Sequence, residues 1–248
     1  MRKQPTSRPS DALGRWAVGL VGGSWELNEM APHFAGPIRI ESGAEGWELT
    51  ADRFQLLNDA EKIRTLAGEV LALINGVARL RLDGPEPVSI GNVRRYRGNG
   101  AKDVFVFPDP IHLRLRMGTP TVAVNGVISA SASWVPDVEL AARDERVRAV
   151  LAFLALSPTW HSLYAALETV AGDTRTGSRK GLMTWAGVTN AQLRLFTGTA
   201  NSFSLLGVQA RHGPTTSAPH SFMTLADAED LVGRVVEGWL GELQRLGV

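Results

Sequence analysis

The chain has 248 residues, a net charge of +1, 44% hydrophobic residues and 21% charged residues. That balance fits a globular protein rather than a disordered chain or a strongly basic nucleic-acid binder. There is no cysteine, which removes disulfides, thiolate metal sites and cysteine nucleophiles together. No stretch approaches the roughly 20 apolar residues of a membrane span, and no apolar run suits a signal peptide; the expectation is a cytoplasmic protein of one large or two modest domains, with no membrane partner.

Residues 1–11 are polar and read as a flexible tail. Beyond them, β-branched and aromatic residues broken by Gly, Pro, Asn and Asp predict strands over 16–27, 37–49, 77–82, 88–97, 104–107, 111–117 and 121–124. The run 112–117 alternates polar and apolar residues, as a half-exposed antiparallel strand does. Gly22-Gly23 marks a turn or bulge, and Asn125-Gly126 between Val124 and Val127 marks a hairpin. One helix is expected over 59–75, where Ile63, Leu66, Ala67, Val70, Leu71 and Ile74 recur at helical spacing, and Asn75-Gly76 supplies its stop. Residues 12–140 thus read as a β-rich module with one helix.

From about residue 141 the periodicity is helical. Helices are expected over 144–156, ending ahead of Pro158, and over 160–171. Thr189 and Gln192 have capping-box spacing and open a helix to about 199. Ser202 or Ser204 caps a short helix running to Arg211. The last helix covers 224–246, with Thr224 as N-cap and a wide apolar stripe from Leu225 to Leu243. Residues 172–180 and 213–221 read as loops. The fold class is therefore α+β, a β-rich module over 12–140 followed by an all-helical bundle over 141–248.

The chemistry concentrates in Thr199-Ala200-Asn201-Ser202 and Gln209-Ala210-Arg211-His212-Gly213. A guanidinium holds phosphate or carboxylate with its planar fork, an imidazole moves a proton near neutrality, and Asn201 can fix either a tautomer or a substrate oxygen. The same residues also suit a helix end, with Arg211 and His212 on its last carbonyls and Gly213 as terminator. His161, Tyr164 and Glu168 fall on one helical face, from which Glu168 can orient His212 or bind a divalent metal; the same spacing suits a core tyrosine with a wet hydroxyl beside solvated Glu168 and His161. Arg194 is the nearest Arg upstream of this block. The five histidines form no metal-binding spacing, and no nucleotide-binding loop or serine-hydrolase elbow is present. No metal or cofactor is implied. Arg94-Arg95-Tyr96-Arg97 reads as a strand with alternate Arg outward, or as a basic surface around an aromatic.

The order of Trp160-His161-Ser162-Leu163-Tyr164-Ala165-Ala166-Leu167-Glu168, Thr199-Ala200-Asn201-Ser202, Ala210-Arg211-His212-Gly213 and a long amphipathic helix resembles the bundles of the HEPN superfamily and related abortive-infection C-terminal domains. The resemblance spans at most 144–248. It implies a protein of a bacterial defence or toxin-type system, pairing into a homo-oligomer, with RNA or protein as partner. In active members, which are metal-independent ribonucleases, it implies His212 as proton carrier and Arg211 as phosphate ligand. On that view Glu168 gives support, and Asn201, Arg194 and Tyr164 hold substrate. Active members place Arg four to six residues before His on one helix face. Here the two are adjacent, about 100° apart on an ideal helix. That departure favours a binding or interaction protein, with the ribonuclease as the alternative.

Overall fold

The computed structural model describes residues 14–43, 45–107, 133–213 and 221–248. The fold is α+β, with an antiparallel sheet in the N-terminal half and helices in the C-terminal half. The chain forms two compact units. One boundary falls between residues 135 and 136, and the segment 69–88 crosses to the other side: residues up to 68 and 89–135 make the first unit, while 69–88 and 136–248 make the second.

The first unit is built on strands β1 (Arg15–Val21), β2 (Ile38–Gly43), β3 (Gly46–Ala51), β4 (Ser89–Tyr96) and β5 (Lys102–Phe105), in the order β2-β3-β1-β4-β5. All pairings are antiparallel. Cross-strand partners share a face, so Val18↔Leu49, Ile40↔Leu49 and Val18↔Val93 stack the buried apolar side chains on one side of the sheet. Leu27 and Met30, from helix α1 (Ser24–Met30), are buried in the same unit, as are Phe34 and Phe54. β1 pairs with β3 only at Val18 and Gly19. At Trp16 the carboxamide of Gln55 takes the place of a neighbouring strand. Its Oε1 accepts from the Trp16 N–H at 2.9 Å and its Nε2 donates to the Trp16 carbonyl at 3.1 Å.

The sequence expectation is corrected at several points here. The strand over 16–27 stops at Val21, because Gly23 opens α1. A Cβ at Gly23 would sit 2.0 Å from a carboxylate oxygen of Glu26, so Gly22-Gly23 is a helix entry and not a bulge. The bulge lies instead between Val18 and Leu20. The strand over 37–49 is two strands, paired out to Gly43 and Gly46, and Gly46 opens β3 at φ 103°. The expected strands over 111–117 and 121–124, the Asn125-Gly126 hairpin and the 1–11 tail lie outside the described residues.

Helix α2 (Ala60–Arg81) belongs to the first unit up to residue 68 and to the second from 69. It does not stop at Asn75-Gly76, and 77–82 is mostly helix rather than strand. The Asn75 side chain donates to the Val88 carbonyl at 2.8 Å and accepts from its N–H at 3.0 Å. Gly76 permits a close approach: a Cβ there would fall 2.3 Å from the Leu151 carbonyl oxygen. Both residues of the apparent stop signal are thus spent on packing.

The remaining helices of the second unit are α3 (Val135–Arg143), α4 (Glu145–Leu154), α5 (Trp160–Ala171), α6 (Ser178–Trp185), α7 (Asn190–Ala200), α8 (Phe203–Leu206) and α9 (Leu225–Arg245). α9 buries Ala228, Leu231, Val232, Val235, Val236, Trp239, Leu240 and Leu243, the three-and-four spacing of one helical stripe. Capping boxes open α5 (Thr159 with Ser162), α7 (Thr189 with Gln192) and α9 (Thr224 with Asp227). α3 and α6 were not expected, and the 172–180 loop is largely a 3-10 turn followed by α6. No described helix is long and apolar enough to cross a membrane.

Candidate functional site

Two helices of the second unit and one short connection assemble the site. On α5, Tyr164 and Glu168 lie one turn apart and face the same way. The Tyr164 ring stacks at 6.0 Å on Phe196 of α7, which is fully buried. At the end of α7, Thr199 donates to the Leu195 carbonyl at 2.8 Å and accepts from the Met223 N–H at 3.0 Å, fixing where the helix terminates. The chain then passes through α8 and a 3-10 turn and comes back, and the Arg211 N–H bonds the Ala200 carbonyl at 2.9 Å.

That return places the Arg211 guanidinium 4.2 Å above the Tyr164 ring, a cation–π contact. One nitrogen donates to the Tyr164 hydroxyl at 3.1 Å, and the other reaches both Glu168 oxygens, at 3.1 and 3.4 Å. His212 is exposed, with Nε2 3.5 Å from Arg211 Nη1. So Arg211, Glu168, Tyr164 and His212 meet at one place.

Asn201 stands next to this group as the C-cap of α7. Its Oδ1 is buried and accepts no hydrogen bond, an orphan acceptor of the kind that marks strain or an unfilled site. Arg194 is not brought in: it is exposed on α7 and has no ion pair or hydrogen bond among the described residues. The helix-end reading of Arg211 and His212 is also corrected. The short helix stops at Leu206, followed by Gly207 at φ 56°, and neither Arg211 nor His212 is helical. Ser202 sits at the N-cap of α8 without a side-chain capping bond.

A cavity of about 140 Å³ opens beside the cluster, lined by Tyr164, Glu168, Leu167, Ala171, Leu182 and Leu193 among others. A larger opening of about 930 Å³ elsewhere in this unit involves Arg79, Arg81 and the acidic flank of α9. Arg79 is paired with Glu229 at 2.6 Å and Arg81 with Glu237 at 2.9 Å. Asp227 is spent on its capping box. The smaller cavity is the better candidate because Tyr164 and Glu168, which hold the solvent-open Arg211 guanidinium, are part of its lining.

Sequence reasoning missed a second polar centre, around Asp173. Its side chain is fully buried and accepts from Trp239 Nε1 at 3.0 Å, from Arg146 at 3.2 Å and from Arg175 in bidentate fashion. Arg175 also reaches Asp144, the N-cap of α4, at 2.5 Å. Burial would raise the Asp173 carboxyl, but the bonds from Arg175 and Trp239 outweigh it and hold the group below its ordinary range. Asp144 is lowered against burial in the same way, by Arg175 and the backbone N–H groups of α4. Arg175 is raised by both carboxylates. This centre ties α4, α9 and the 3-10 turn together. The only hint in the sequence is Asp173-x-Arg175 after the end of α5.

In the first unit, the sheet face opposite the apolar core carries buried Glu48. It accepts from Arg94 at 2.7 Å, from Arg15 at 3.1 Å and from the Tyr96 hydroxyl. Burial, then the bond to Glu48, raises the Tyr96 phenol. Arg94 Nε makes no hydrogen bond, although Glu45 lies 3.5 Å away as an ion pair; at that distance the contact is charge attraction only. Arg97 is paired with Asp103 and Lys102 with Glu45. Within the Arg94–Arg97 stretch, Arg94 and Arg97 are therefore paired with carboxylates, while Arg95 lies over the Trp16 ring.

Among the described residues no group of three or more His, Asp or Glu side chains is placed to hold a metal. Comparison of the chain with family models, curated proteins and solved structures finds no match.

Proposed function

We propose that the chain is a binding protein of a defence or toxin-type system, whose helical unit docks an anionic partner, a single-stranded RNA, through the phosphate held by Arg211. The observation that carries this reading is the Arg211 guanidinium, held over the Tyr164 ring, steered by Glu168 and still open to solvent. A planar fork held in one orientation has lost part of its rotamer entropy before a ligand arrives, which favours phosphate recognition. His212 beside it adds a second donor. Binding without cleavage is supported by the site's composition: Glu168 is engaged with Arg211, and no described carboxylate bonds His212 to set its tautomer.

The metal-independent ribonuclease is the second reading. His212 lies next to Arg211, and the orphan Oδ1 of Asn201 stands at the end of α7, where Arg211 is anchored. Labelled single-stranded RNA in EDTA separates the two. Binding that Arg211→Ala abolishes, with RNA left intact, supports the docking reading. Cutting that disappears in His212→Ala supports the enzyme. RNA that neither binds nor is cut overturns both.

A further inference from the structure

We infer that the cavity beside the Arg211 clamp is a subsite for a single pyrimidine ring bearing an amino group, a cytosine, whose phosphate rests on Arg211. The inference rests on the proposal that Arg211 binds phosphate, and it adds the identity of the base. Size is the first argument. Ligand pockets for drug-sized molecules run from about 300 Å³ upward. An apolar cavity of about 150 Å³ takes one benzene-sized ring. The cavity here measures about 140 Å³, which matches one six-membered ring more closely than the fused pair of a purine. Its floor is apolar: Leu182 and Leu193 are buried side chains, with Leu167 and Ala171 alongside.

The polar lip supplies the second argument. Tyr164 and Glu168 line the cavity and also hold Arg211. The ionised carboxylate of Glu168 only accepts hydrogen bonds. It suits the exocyclic amine of cytosine, a pairing that carboxylates make with cytosine N4, and it repels the carbonyl that uracil presents at the same position. The Arg211–Glu168 pair is about one-third to over one-half exposed, at 36% and 58% of the two side chains, and an exposed pair of this kind contributes little stability. A cytidylate exchanges partners with it: its phosphate takes the Arg211 fork from Glu168, and its amine takes Glu168 from Arg211. The exchange leaves the Glu168 carboxylate with a neutral N–H donor in place of a cation, and its exposure lets water carry the rest of its charge.

Isothermal titration with 5′-CMP, 5′-UMP, cytidine, inorganic phosphate and a short oligocytidine RNA tests this. The expected result is CMP binding at least about tenfold tighter than UMP or phosphate, the lower part of the range for one well-formed base contact. Glu168→Gln erases the preference for CMP over UMP, and Ala171→Leu, which fills the cavity, brings CMP down to the level of phosphate. Oligocytidine tighter than CMP identifies RNA as the source of the ring; equal affinity identifies the free nucleotide. Equal binding of CMP, UMP and phosphate, lost in Arg211→Ala, overturns the base subsite and leaves the phosphate reading standing. Cytidine binding as tightly as CMP keeps the subsite and removes phosphate from Arg211. No binding by any of the five overturns both.

Discussion

Replacing Asp173 by Asn tests whether the second unit is held from its centre. The carboxylate accepts from Arg175, Arg146, the Arg175 backbone and the Trp239 indole. Asparagine keeps one acceptor and turns an amide donor toward guanidinium donors. Removing one partner of a buried charge pair costs about 3–5 kcal/mol. Arg175 is about one-third exposed and keeps Asp144, so water recovers part of that loss and about 3 kcal/mol is expected. For a chain of this size the melting temperature falls by roughly 6–12 °C. Urea denaturation followed by circular dichroism at pH 7 gives the free energy, and a thermal scan gives the shift. The pH dependence has a definite sign. The folded carboxyl lies below its ordinary value of 3.8. Its contribution is therefore full above that value and is lost as pH falls through the lower, folded value. The gap between wild type and Asp173→Asn should close below about pH 4. A variant within about 1 kcal/mol of wild type at pH 7, or a gap that widens in acid, refutes the reasoning.

Gly76→Ala forces a methyl against the Leu151 carbonyl and should cost about 3 kcal/mol in the same denaturation assay, at the upper end of overpacking effects. Thr189→Ala removes the cap of α7 and should cost about 1 kcal/mol. Arg211→Ala removes an exposed ion pair and an exposed cation–π contact with Tyr164, so its stability should fall by only about 1 kcal/mol while RNA binding is lost. Glu48→Gln, which unbalances Arg94 and Arg15, should destabilise by about 3 kcal/mol.

What could be read from the sequence follows from how local the cause is. The helices opened by Thr189 and Thr224 are legible because a cap and its third residue settle the matter within one turn. The apolar stripe of α9 is legible for the same reason. Asn75-Gly76 misleads because its partners, Val88 and Leu151, are remote in the chain; nothing nearby distinguishes a packing glycine from a terminating one. The 77–82 segment alternates like a strand, yet Arg79 and Arg81 serve helical pairs with Glu229 and Glu237. At the candidate site, the sequence brings Tyr164 and Glu168 onto one face. The meeting with Arg211 depends on the Ala200 carbonyl catching its N–H after an irregular passage, which no periodicity encodes. Asp173 was hidden in a stretch with almost no apolar residues, where a loop is the natural reading.

The Gln55 carboxamide has a wider consequence for the sheet. A bare rung at the start of β1 would offer a docking point to any extended peptide, and such openings are where foreign chains add themselves and fibres begin. One side chain, anchored just past β3, plugs that gap in both directions. The protein thereby keeps a short third strand without leaving its central strand available to strangers.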